Sequence, residues 1–412
     1  MKILLLHQYF LEKNDSGGSR FNEFSRLWAE SGHKVTVLSG MVHYSTGLKD
    51  AKYRNKYTYF DEGFYDGVDV IRCHVSPSYN KNFMGRLWGY FSFVLSSLYA
   101  GIFRVKNKYD VILVTSPPLF IGITGYLLSR LKRIPFVFEV RDLWPESAID
   151  SGVIKNKIFI RMAFILESYI YKKSQMINAL TPAFRDKIIT EKGIDSKKVI
   201  MIPNAADFSI LNKLYKDFNK YEFRKNIGFD DSFVFTYVGA HGVANHLIQL
   251  IDAAEKIQDT NIVIQFIGDG MQKDFLIKES KKRSLKNVIF RDPVPKDEVF
   301  KYILSSDVGL SVLKNVETFK TIYSNKTFDY MSCSVPILLL IDGVSRQLVE
   351  NAQCGVFAQP EDSSDIAKKM TYLSKLDKSS LVKMGSNGLS YAIENFDREK
   401  LADDYISKLE NI

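Results

Sequence analysis

The fold is decided by the stretch Phe233-Val234-Phe235-Thr236-Tyr237-Val238-Gly239-Ala240-His241-Gly242, in which a run of strand-favouring residues enters a glycine loop. A buried strand followed by glycines is typical of the first unit of a parallel α/β domain, where the glycines let the backbone approach a ligand. The stretch lies past the middle of a chain of 412 residues, which is longer than one hydrophobic core usually serves. It therefore predicts that a second domain has begun.

Short apolar runs alternate with helical patterns on both sides of this stretch, and both faces of the runs are apolar, as in a sheet covered by helices on two sides. In the first half the predicted strands are Lys2–His7, Lys34–Ser39, Val68–Cys73, Val111–Thr115, Phe136–Glu139 and Met176–Leu180, with a helix over Asn22–Ser31. In the second half they are Phe233–Val238, Ile262–Ile267, Val288–Phe290, Val308–Val312 and Val335–Ile341. We predict an α/β protein of two Rossmann-like domains, residues 1–204 and 205–390. A last helical stretch, 391–412, is expected to pack back on the first domain.

The composition excludes several classes of protein. Three scattered cysteines form neither a disulfide framework nor a zinc motif, and the six histidines include no HExxH pattern. The acidic pairs Asp61-Glu62 and Asp230-Asp231 are interpreted as solvated loops, so no metal site is predicted. The apolar run at the N-terminus is too short for a signal peptide and is interpreted as a buried strand.

The charge is uneven, at +11 over residues 1–205 and −2 over residues 206–412. A basic first half favours an anionic surface as partner, although a generally lysine-rich proteome would give the same excess. The uncharged stretch Leu87–Phe103 has 17 residues and contains three serines, so it is not interpreted as a transmembrane helix. Its aromatic residues and basic ends suit a membrane interface, and equally a helix that covers a sheet with an aromatic face.

Glycine junctions predict where ligands bind. Loops with glycines follow the first strand at 14–20 and two later strands at Gly239 and Gly268, and the ends of parallel strands are where open α/β sheets bind ligands. None has the GxGxxG spacing, so a dinucleotide cofactor is not expected. For the first loop, a plain helix-entry turn remains the alternative.

The densest segment for function is Ser324–Pro336, a helix start that carries Lys326 and, one turn later, Asp329. A lysine at a helix N-terminus opposes the helix dipole, which is reasonable where an anionic ligand shares the site. Backbone N–H groups with a lysine suit a diphosphate, and a carboxylate suits ribose hydroxyls. The alternative is an ordinary exposed Lys–Asp pair.

Several stretches of the sequence together resemble a known family. The chain resembles the retaining glycosyltransferases of family 4, which have the GT-B fold, and more closely the bacterial O-antigen and capsule enzymes of the N-acetyl-L-fucosamine transferase-like subfamily. The resemblance rests on motifs that occur in family order along nearly the whole chain. They are 7–10, 16–20, 115–118, 139–147, 167–171, 202–204, 268–270, 306–310 and 325–336, of which 139–147 and 326–336 are the most specific.

The resemblance implies roles for individual residues. The C-terminal domain would bind a nucleotide-sugar donor, UDP-linked by analogy, and the N-terminal domain an acceptor, expected to be a polyprenyl-diphosphate-linked saccharide. The implied catalytic residues are Lys326, Arg141 and Asp142. The implied donor-binding residues are Gly239, Ala240, His241, Asn245, Gly268, Asp269, Val294, Thr321, Asn325 and Asp329. The implied acceptor-side residues are Gly17, Gly18, Ser19 and Glu146.

The chain departs from the family at three of these positions. Thr321 stands where family 4 usually has a glutamate, and Ala240 and Asn245 stand where relatives often carry Arg and Lys. With two cations fewer, Lys326 is the foremost candidate to stabilise the leaving diphosphate, with His241, His246 or Arg141 as further candidates. The implied reaction is transfer with retention, without metal or cofactor, by a cytoplasmic enzyme on the inner face of the membrane.

Three other functions stay open. A nucleotide-sugar 2-epimerase has the same fold, but the carboxylate and histidine groups that it needs are not evident. A non-catalytic binding subunit would fit the lost cations and conflict with the Lys326–Asp329 pair. Nucleic-acid binding would fit the charge, but no recognised motif supports it.

Overall fold

The computed structural model describes residues 1–13, 20–43, 47–80, 83–150, 152, 154–206, 208, 211, 214, 218–229 and 231–412. The chain divides into two compact units. The first unit is Met1–Pro203 together with Glu399–Ile412, and the second unit is Asn204–Arg398. Each unit is an α/β domain built on a sheet of mainly parallel strands, which confirms the predicted fold class.

The first unit contains an eight-stranded sheet in the order β3-β4-β2-β1-β5-β6-β7-β8. Its strands are β1 (Lys2–Leu6), β2 (Lys34–Gly40), β3 (Thr58–Tyr65), β4 (Val68–Cys73), β5 (Val111–Ser116), β6 (Phe136–Val140), β7 (Met176–Ala179) and β8 (Val199–Met201). Its helices are α1 (Arg20–Glu30), α2 (Phe83–Phe103), α3 (Ile121–Lys132), α4 (Glu146–Asp150), α5 (Lys157–Lys173) and α6 (Pro182–Thr190). All described pairings are parallel except β3 with β4, which is antiparallel.

The second unit contains a six-stranded parallel sheet in the order β11-β10-β9-β12-β13-β14. Its strands are β9 (Phe233–Val238), β10 (Ile262–Ile267), β11 (Val288–Arg291), β12 (Val308–Val312), β13 (Ile337–Leu340) and β14 (Gly355–Phe357). The helices from here to the C-terminus are α7 (Lys220–Asn226), α8 (Ile248–Glu255), α9 (Lys273–Lys282), α10 (Lys296–Leu304), α11 (Asn325–Ser332), α12 (Val344–Asn351), α13 (Ser363–Ser374), α14 (Lys378–Asn395) and α15 (Arg398–Glu410). Buried apolar side chains cover both faces of this sheet.

Two predictions about local structure were wrong. The pair Asp61-Glu62 lies on the edge strand β3, not in a loop, because an edge strand tolerates exposed charges that a central strand would bury. The final helical stretch is two helices, because α14 ends at Asn395 and α15 begins at Arg398. Between them, the carbonyl of Phe396 accepts a hydrogen bond from the N–H of Ala206 at 2.8 Å. Asp230 lies outside the described residues.

The last helix packs within the first unit. Trp28 of α1 donates its indole N–H to the carbonyl of Ala402 at 2.9 Å. The ring of Tyr405 meets Trp28 edge-on, with centroids 5.8 Å apart, and both rings are fully buried. Aromatic contacts of this kind contribute beyond the area they bury, so α15 is part of the core of the first unit.

Candidate functional site

In the second unit, the loops that follow β9 and β10 lie against each other at the carboxyl ends of the strands. Gly239 donates its N–H to Ile267 at 2.9 Å, and His241 donates its N–H to the carbonyl of Asp269 at 2.8 Å. The predicted donor-binding residues Gly239, His241, Gly268 and Asp269 are therefore brought together. Gly239, Ala240 and Asp269 are exposed, so backbone groups of both loops are accessible to a ligand.

Two glycines make this close approach feasible. Gly239 has a φ of +125° and Gly268 a φ of +144°, in the region that residues with a side chain rarely adopt. A Cβ atom on Gly268 would lie 2.0 Å from the carbonyl oxygen of Gly239. Any larger residue at position 268 would therefore separate the two loops.

Lys326, at the start of α11, points to the first of these loops. A Cβ atom on Gly239 would lie 2.7 Å from Cε of Lys326, and the ammonium lies 5.0 Å from the ring centre of Tyr237. Burial lowers the pKa of Lys326 to about 8, although the nearby Asp329 carboxylate acts in the opposite direction. Among the described residues, Lys326 has no hydrogen-bond or ion-pair partner, so the site offers a cation to an anionic ligand.

The position of α11 is fixed by buried polar contacts beneath Lys326. The hydroxyl of Tyr330 donates to the carbonyls of Thr236 and Leu310, at 3.0 and 3.1 Å, and thereby ties the helix to β9 and β12. Thr327 shares a hydrogen bond with Ser311 of β12 at 3.0 Å. These contacts hold the first turn of α11, and with it Lys326, at the end of the sheet.

The other predicted donor-binding residues have different surroundings. Asp329 is half-buried one turn after Lys326, and the exposed Asn325 accepts a hydrogen bond from Asn204 at 2.9 Å. Thr321 donates its hydroxyl to the carbonyl of Thr318 at 2.6 Å.

The remaining two positions have apolar or backbone contacts. Asn245 is buried in the turn after Gly242, and its N–H bonds the Gly242 carbonyl at 3.1 Å. It follows that Asn245 is part of the loop's own structure. Val294 packs against the apolar cluster that contains Val238 and Ile267, at the ends of β9 and β10.

His241 lies fully buried between these loops, beside the rings of Tyr237, Phe266 and Phe290. Burial, reinforced by the charge of Lys273, lowers the pKa of His241 to about 4. Neither ring nitrogen has a hydrogen-bond partner within the described part of the chain. At neutral pH the imidazole is therefore uncharged and cannot supply the positive charge considered for it.

In the first unit, the predicted residues Arg141, Asp142 and Glu146 follow β6. The carboxylate of Asp142 accepts a hydrogen bond from Ser147 at 2.7 Å, and burial raises its pKa. Arg141 is half-buried, and its charge adds to burial in lowering the pKa of His7. The predicted residues Gly17, Gly18 and Ser19 lie outside the described residues.

Glu146 belongs to a buried ionic cluster that the sequence did not suggest. Lys192 donates to Glu146 and, at 2.8 Å, to Glu167. Burial acts to lower the pKa of Lys192, but the hydrogen bonds that it donates to these two carboxylates outweigh burial and raise the pKa. Burial raises the pKa of Glu167 to about 7, although Lys192 opposes the shift.

Sequence reasoning also missed Tyr237 and the ion pair of Arg20 with Glu139. Arg20 contacts Glu139 through Nε at 3.0 Å and also donates to the carbonyls of Ile202 and Pro203. The motifs 16–20 and 139–147 contain both residues, but only the fold shows that they pair. Tyr237 had no signal, because a tyrosine in a strand is ordinary.

Among the described residues, histidines, cysteines and carboxylates nowhere assemble in a group of three or more that could hold a metal ion. Within the same residues, helices that are both long and apolar enough to cross a membrane are absent.

Comparison with known proteins agrees with this architecture. Residues 17–205 match the family model described as "Glycosyl transferase 4-like domain", and residues 219–390 match "Glycosyl transferases group 1". Two relatives are similar to the chain over most of their length. "Putative colanic acid biosynthesis glycosyl transferase WcaI" of Escherichia coli (strain K12) is 23% identical over 70% of this chain and 71% of the relative. "Probable glycosyltransferase WbjE" of Pseudomonas aeruginosa is 24% identical over 75% and 77%.

Solved structures show the same fold at low sequence identity. Alr3699/HepE of Anabaena, solved in complex with UDP, has a TM-score of 0.74 and 16% identity, with 100% of both chains covered. Sucrose-phosphate synthase of Thermosynechococcus elongatus has a TM-score of 0.75 and 13% identity, with 100% of this chain and 98% of that chain covered.

Proposed function

The chain belongs to the glycosyltransferases of the GT-B fold, with a 4-like domain followed by a group 1 domain. From this premise we propose that it moves a hexose or amino sugar, with retention, from a nucleotide-diphosphate sugar to a lipid-linked saccharide. We further propose that the product contributes to a bacterial surface polysaccharide, as the names of the two relatives suggest. The observation that carries the proposal is the half-buried Lys326, which faces Gly239 and forms no ion pair among the described residues.

The donor diphosphate would lie between Lys326 and the backbone of the Gly239 loop, with Asn325 beside it. A desolvated ammonium without a counter-ion is costly, and an incoming diphosphate would supply that counter-ion. Asp329, one turn further along α11, would accept hydrogen bonds from the ribose hydroxyls. UDP is the nucleotide proposed, because HepE is a structural neighbour solved with UDP.

The chemistry would depend on charge stabilisation and positioning. The acceptor hydroxyl would approach the sugar on the face from which the diphosphate leaves, and a phosphate oxygen would take its proton. Lys326 would stabilise the negative charge that develops on the leaving group, which is where a fixed cation accelerates such a step. Arg141 and Asp142 would contact the transferred sugar.

Thermal unfolding with UDP, GDP, CMP and dTDP, each with its sugars, tests the donor proposal, because a ligand of the native state raises apparent stability. We expect the uridine compounds to raise the midpoint, and the Lys326→Ala variant to lose that rise. Lys301→Ala, which removes a surface lysine paired with Glu298, is the matched control. A donor incubated without acceptor also tests epimerase activity, since an epimerase would convert it. A wild-type midpoint that no nucleotide raises would contradict the proposal.

A membrane-bound acceptor is supported by the surface of α2. One face of this helix is buried through Phe93 and Ala100, while Trp88, Leu95 and Phe103 on the other face are 55%, 56% and 63% exposed. The aromatic residues of the stretch are therefore mostly on the exposed face, contrary to the alternative that they form a buried one. Exposed basic residues flank this face at both ends, namely Arg86, Arg104, Lys106 and Lys108.

We propose that this face attaches the first unit to an anionic membrane surface. Each cation near such a surface is worth about 1 kcal/mol, so neutralising Arg104, Lys106 and Lys108 together should weaken vesicle binding about a hundredfold. Neutralising the exposed Lys278, Lys281 and Lys282 of α9 is the control and should change little. High salt should mimic the first change by screening. A wild type that ignores anionic vesicles at low salt would contradict the proposal.

A further inference from the structure

Two neighbouring cavities lie in the first unit, where β1, β2 and β4 end. The inner cavity, of about 350 Å³, is lined by residues that include Glu12, Tyr53 and Arg72. The outer cavity, of about 520 Å³, is lined by residues that include Tyr57 and His74. Val42, Leu48 and Lys49 line both, so the two cavities lie side by side. Open α/β sheets bind ligands at the carboxyl ends of their strands. Tyr9 and Phe10 of the motif 7–10 line the inner cavity, but none of the residues to which the resemblance gives a role lies in either cavity.

The inner cavity has a polar wall that is fixed in advance. Glu12 forms ion pairs with Arg72 at 3.1 Å and Lys52 at 2.9 Å, and it accepts a hydrogen bond from Tyr53. Burial acts to raise the pKa of Glu12, but the charge of Arg72 and the bonds from Lys52 and Tyr53 lower it, so Glu12 stays ionised. Its orientation is thus set without a ligand.

Arg72 is 2% exposed, and its Nε atom has no hydrogen-bond partner among the described residues. Its other nitrogens donate to the carbonyls of Phe10 and Leu11 and to Ser39, which hold the guanidinium in one position. A buried N–H without a partner costs free energy, and the three other hydrogen bonds hold the guanidinium in place despite that cost. The inner cavity therefore has a carboxylate that is fixed by an equally fixed guanidinium.

The outer cavity offers an aromatic surface. Tyr57 is 47% exposed and stacks on His74, with ring centroids 5.8 Å apart and planes inclined by 19°. Its edge meets Tyr99 of α2 at 5.5 Å, so the outer cavity borders the exposed face of that helix. An aromatic face beside polar groups suits a ligand that has both an apolar face and many hydroxyls.

We infer that the two cavities bind two consecutive neutral sugar residues of the acceptor. The hydroxyls of the inner sugar would donate to Glu12, and the C–H face of the outer sugar would pack on Tyr57. Because the outer cavity borders α2, the outer sugar is the one nearer the lipid. Because Arg72 and Lys52 already balance the charge of Glu12, this group needs no counter-charge from the sugar, and a neutral sugar suits the inner cavity. This inference deepens the proposed function and rests on it.

The test compares the binding of sugars of two lengths. Saturation-transfer NMR would measure a panel of neutral mono- and disaccharides of hexoses and N-acetylamino sugars, on the wild type and three variants. Tyr57→Ala removes the aromatic surface and Lys49→Ala changes the wall that both cavities share. Phe60→Ala is the control, because this equally exposed aromatic residue of β3 lines neither cavity.

We expect a disaccharide to bind more tightly than its monosaccharide, and Tyr57→Ala to weaken the disaccharide about tenfold while leaving the monosaccharide nearly unchanged. Lys49→Ala should weaken both, and Phe60→Ala neither. The inference would be overturned if no disaccharide binds more tightly than its monosaccharide, or if the Tyr57→Ala variant binds the disaccharide as tightly as the wild type does. UDP binding by the same proteins is measured in parallel. If UDP does not bind, the proposed donor is refuted, whereas the saccharide measurements still test the two cavities separately.

Discussion

Lys192 of the first unit and Lys326 of the second are both half-buried, yet their pKa values move in opposite directions. Lys192 is held by two carboxylates, and its pKa is raised. Lys326 faces a glycine loop and a tyrosine ring, and its pKa falls to about 8. The comparison separates a lysine whose charge is balanced inside the fold from one whose charge awaits a ligand. We therefore expect loss of Lys192 to affect stability and loss of Lys326 to affect activity.

The largest effect is expected from Lys326→Met. Losing one charge-stabilising donor should lower the rate of transfer by about 10²–10³. The thermal unfolding midpoint should stay the same or rise, because the substitution removes a desolvated charge that costs the fold roughly 1–3 kcal/mol. Donor turnover and thermal unfolding, measured on one preparation, check both halves. Wild-type turnover, or a loss of stability, would remove the distinction between the two lysines.

The opposite pattern is expected from Lys192→Met, which leaves the buried Glu167 without its cation and leaves Glu146 with only the more distant Lys187, at 3.8 Å. Breaking a buried ion pair in this way costs about 3 kcal/mol. UDP binding, which we assign to the second unit, should not change while the protein remains folded. Adding Glu167→Gln to the variant should restore part of the stability, since it removes the buried carboxyl group that has lost its cation. A single variant as stable as the wild type would show that the cluster does not stabilise the fold.

The stability of the Lys192→Met variant should depend on pH, and the sign of that dependence follows from Glu167. Glu167 has a pKa of about 7 in the fold, above the usual value, so the folded state binds more protons than the unfolded state as the pH falls. Its contribution to stability is therefore present at low pH and lost as the pH rises through about 7. Without Lys192 the pKa should rise further, and the deficit of the variant should shrink towards low pH.

A smaller effect is expected from Asp329→Asn, which keeps the shape beside Lys326 but removes the charge. A carboxylate that accepts ribose hydroxyls contributes about 1.5–3 kcal/mol per bond, so the dissociation constant of UDP should rise roughly ten- to a hundredfold. The rate at saturating donor should change less. Glu317→Gln, at a side chain that is 84% exposed in the same unit, is the control carboxylate. Isothermal titration calorimetry with UDP measures this change, and an unchanged affinity would show that Asp329 does not bind the ribose hydroxyls.

The fold was largely predictable, and the partners of these side chains were not. Strands such as Phe233–Val238 and Val308–Val312 were predicted with correct bounds, because a parallel sheet buried on both faces requires continuous apolar runs that glycine or proline then ends. The sequence singled out Lys326 because a lysine at a helix start is unusual. It could not show Tyr237 beneath the ammonium, since that contact joins residues far apart in the chain.

The cluster around Lys192 and the pair of Glu12 with Arg72 were missed for the same reason. Each charged residue looks ordinary by itself, and only burial next to a distant partner makes it significant. Glu146 was assigned to the acceptor side by resemblance alone, and its contacts with Lys192 give it at least a structural role. Pairing across the fold, not residue type, is what separates the two lysines.

The smallest effect concerns the pH dependence of donor binding. Lys326 loses its proton near pH 8 in the free protein, and a bound diphosphate should raise that pKa. Above about pH 8 the protein must then take up a proton to bind, so the dissociation constant of UDP should rise by up to tenfold per pH unit. The phosphates do not contribute to this slope, because they are already fully ionised there. Titrations between about pH 7 and 9.5, in buffers of different ionisation enthalpy, measure the affinity and the proton uptake together. The Lys326→Arg variant should bind without the slope, because a guanidinium keeps its charge throughout this range. A wild-type affinity that stays flat to the upper end would mean that Lys326 does not contact the diphosphate.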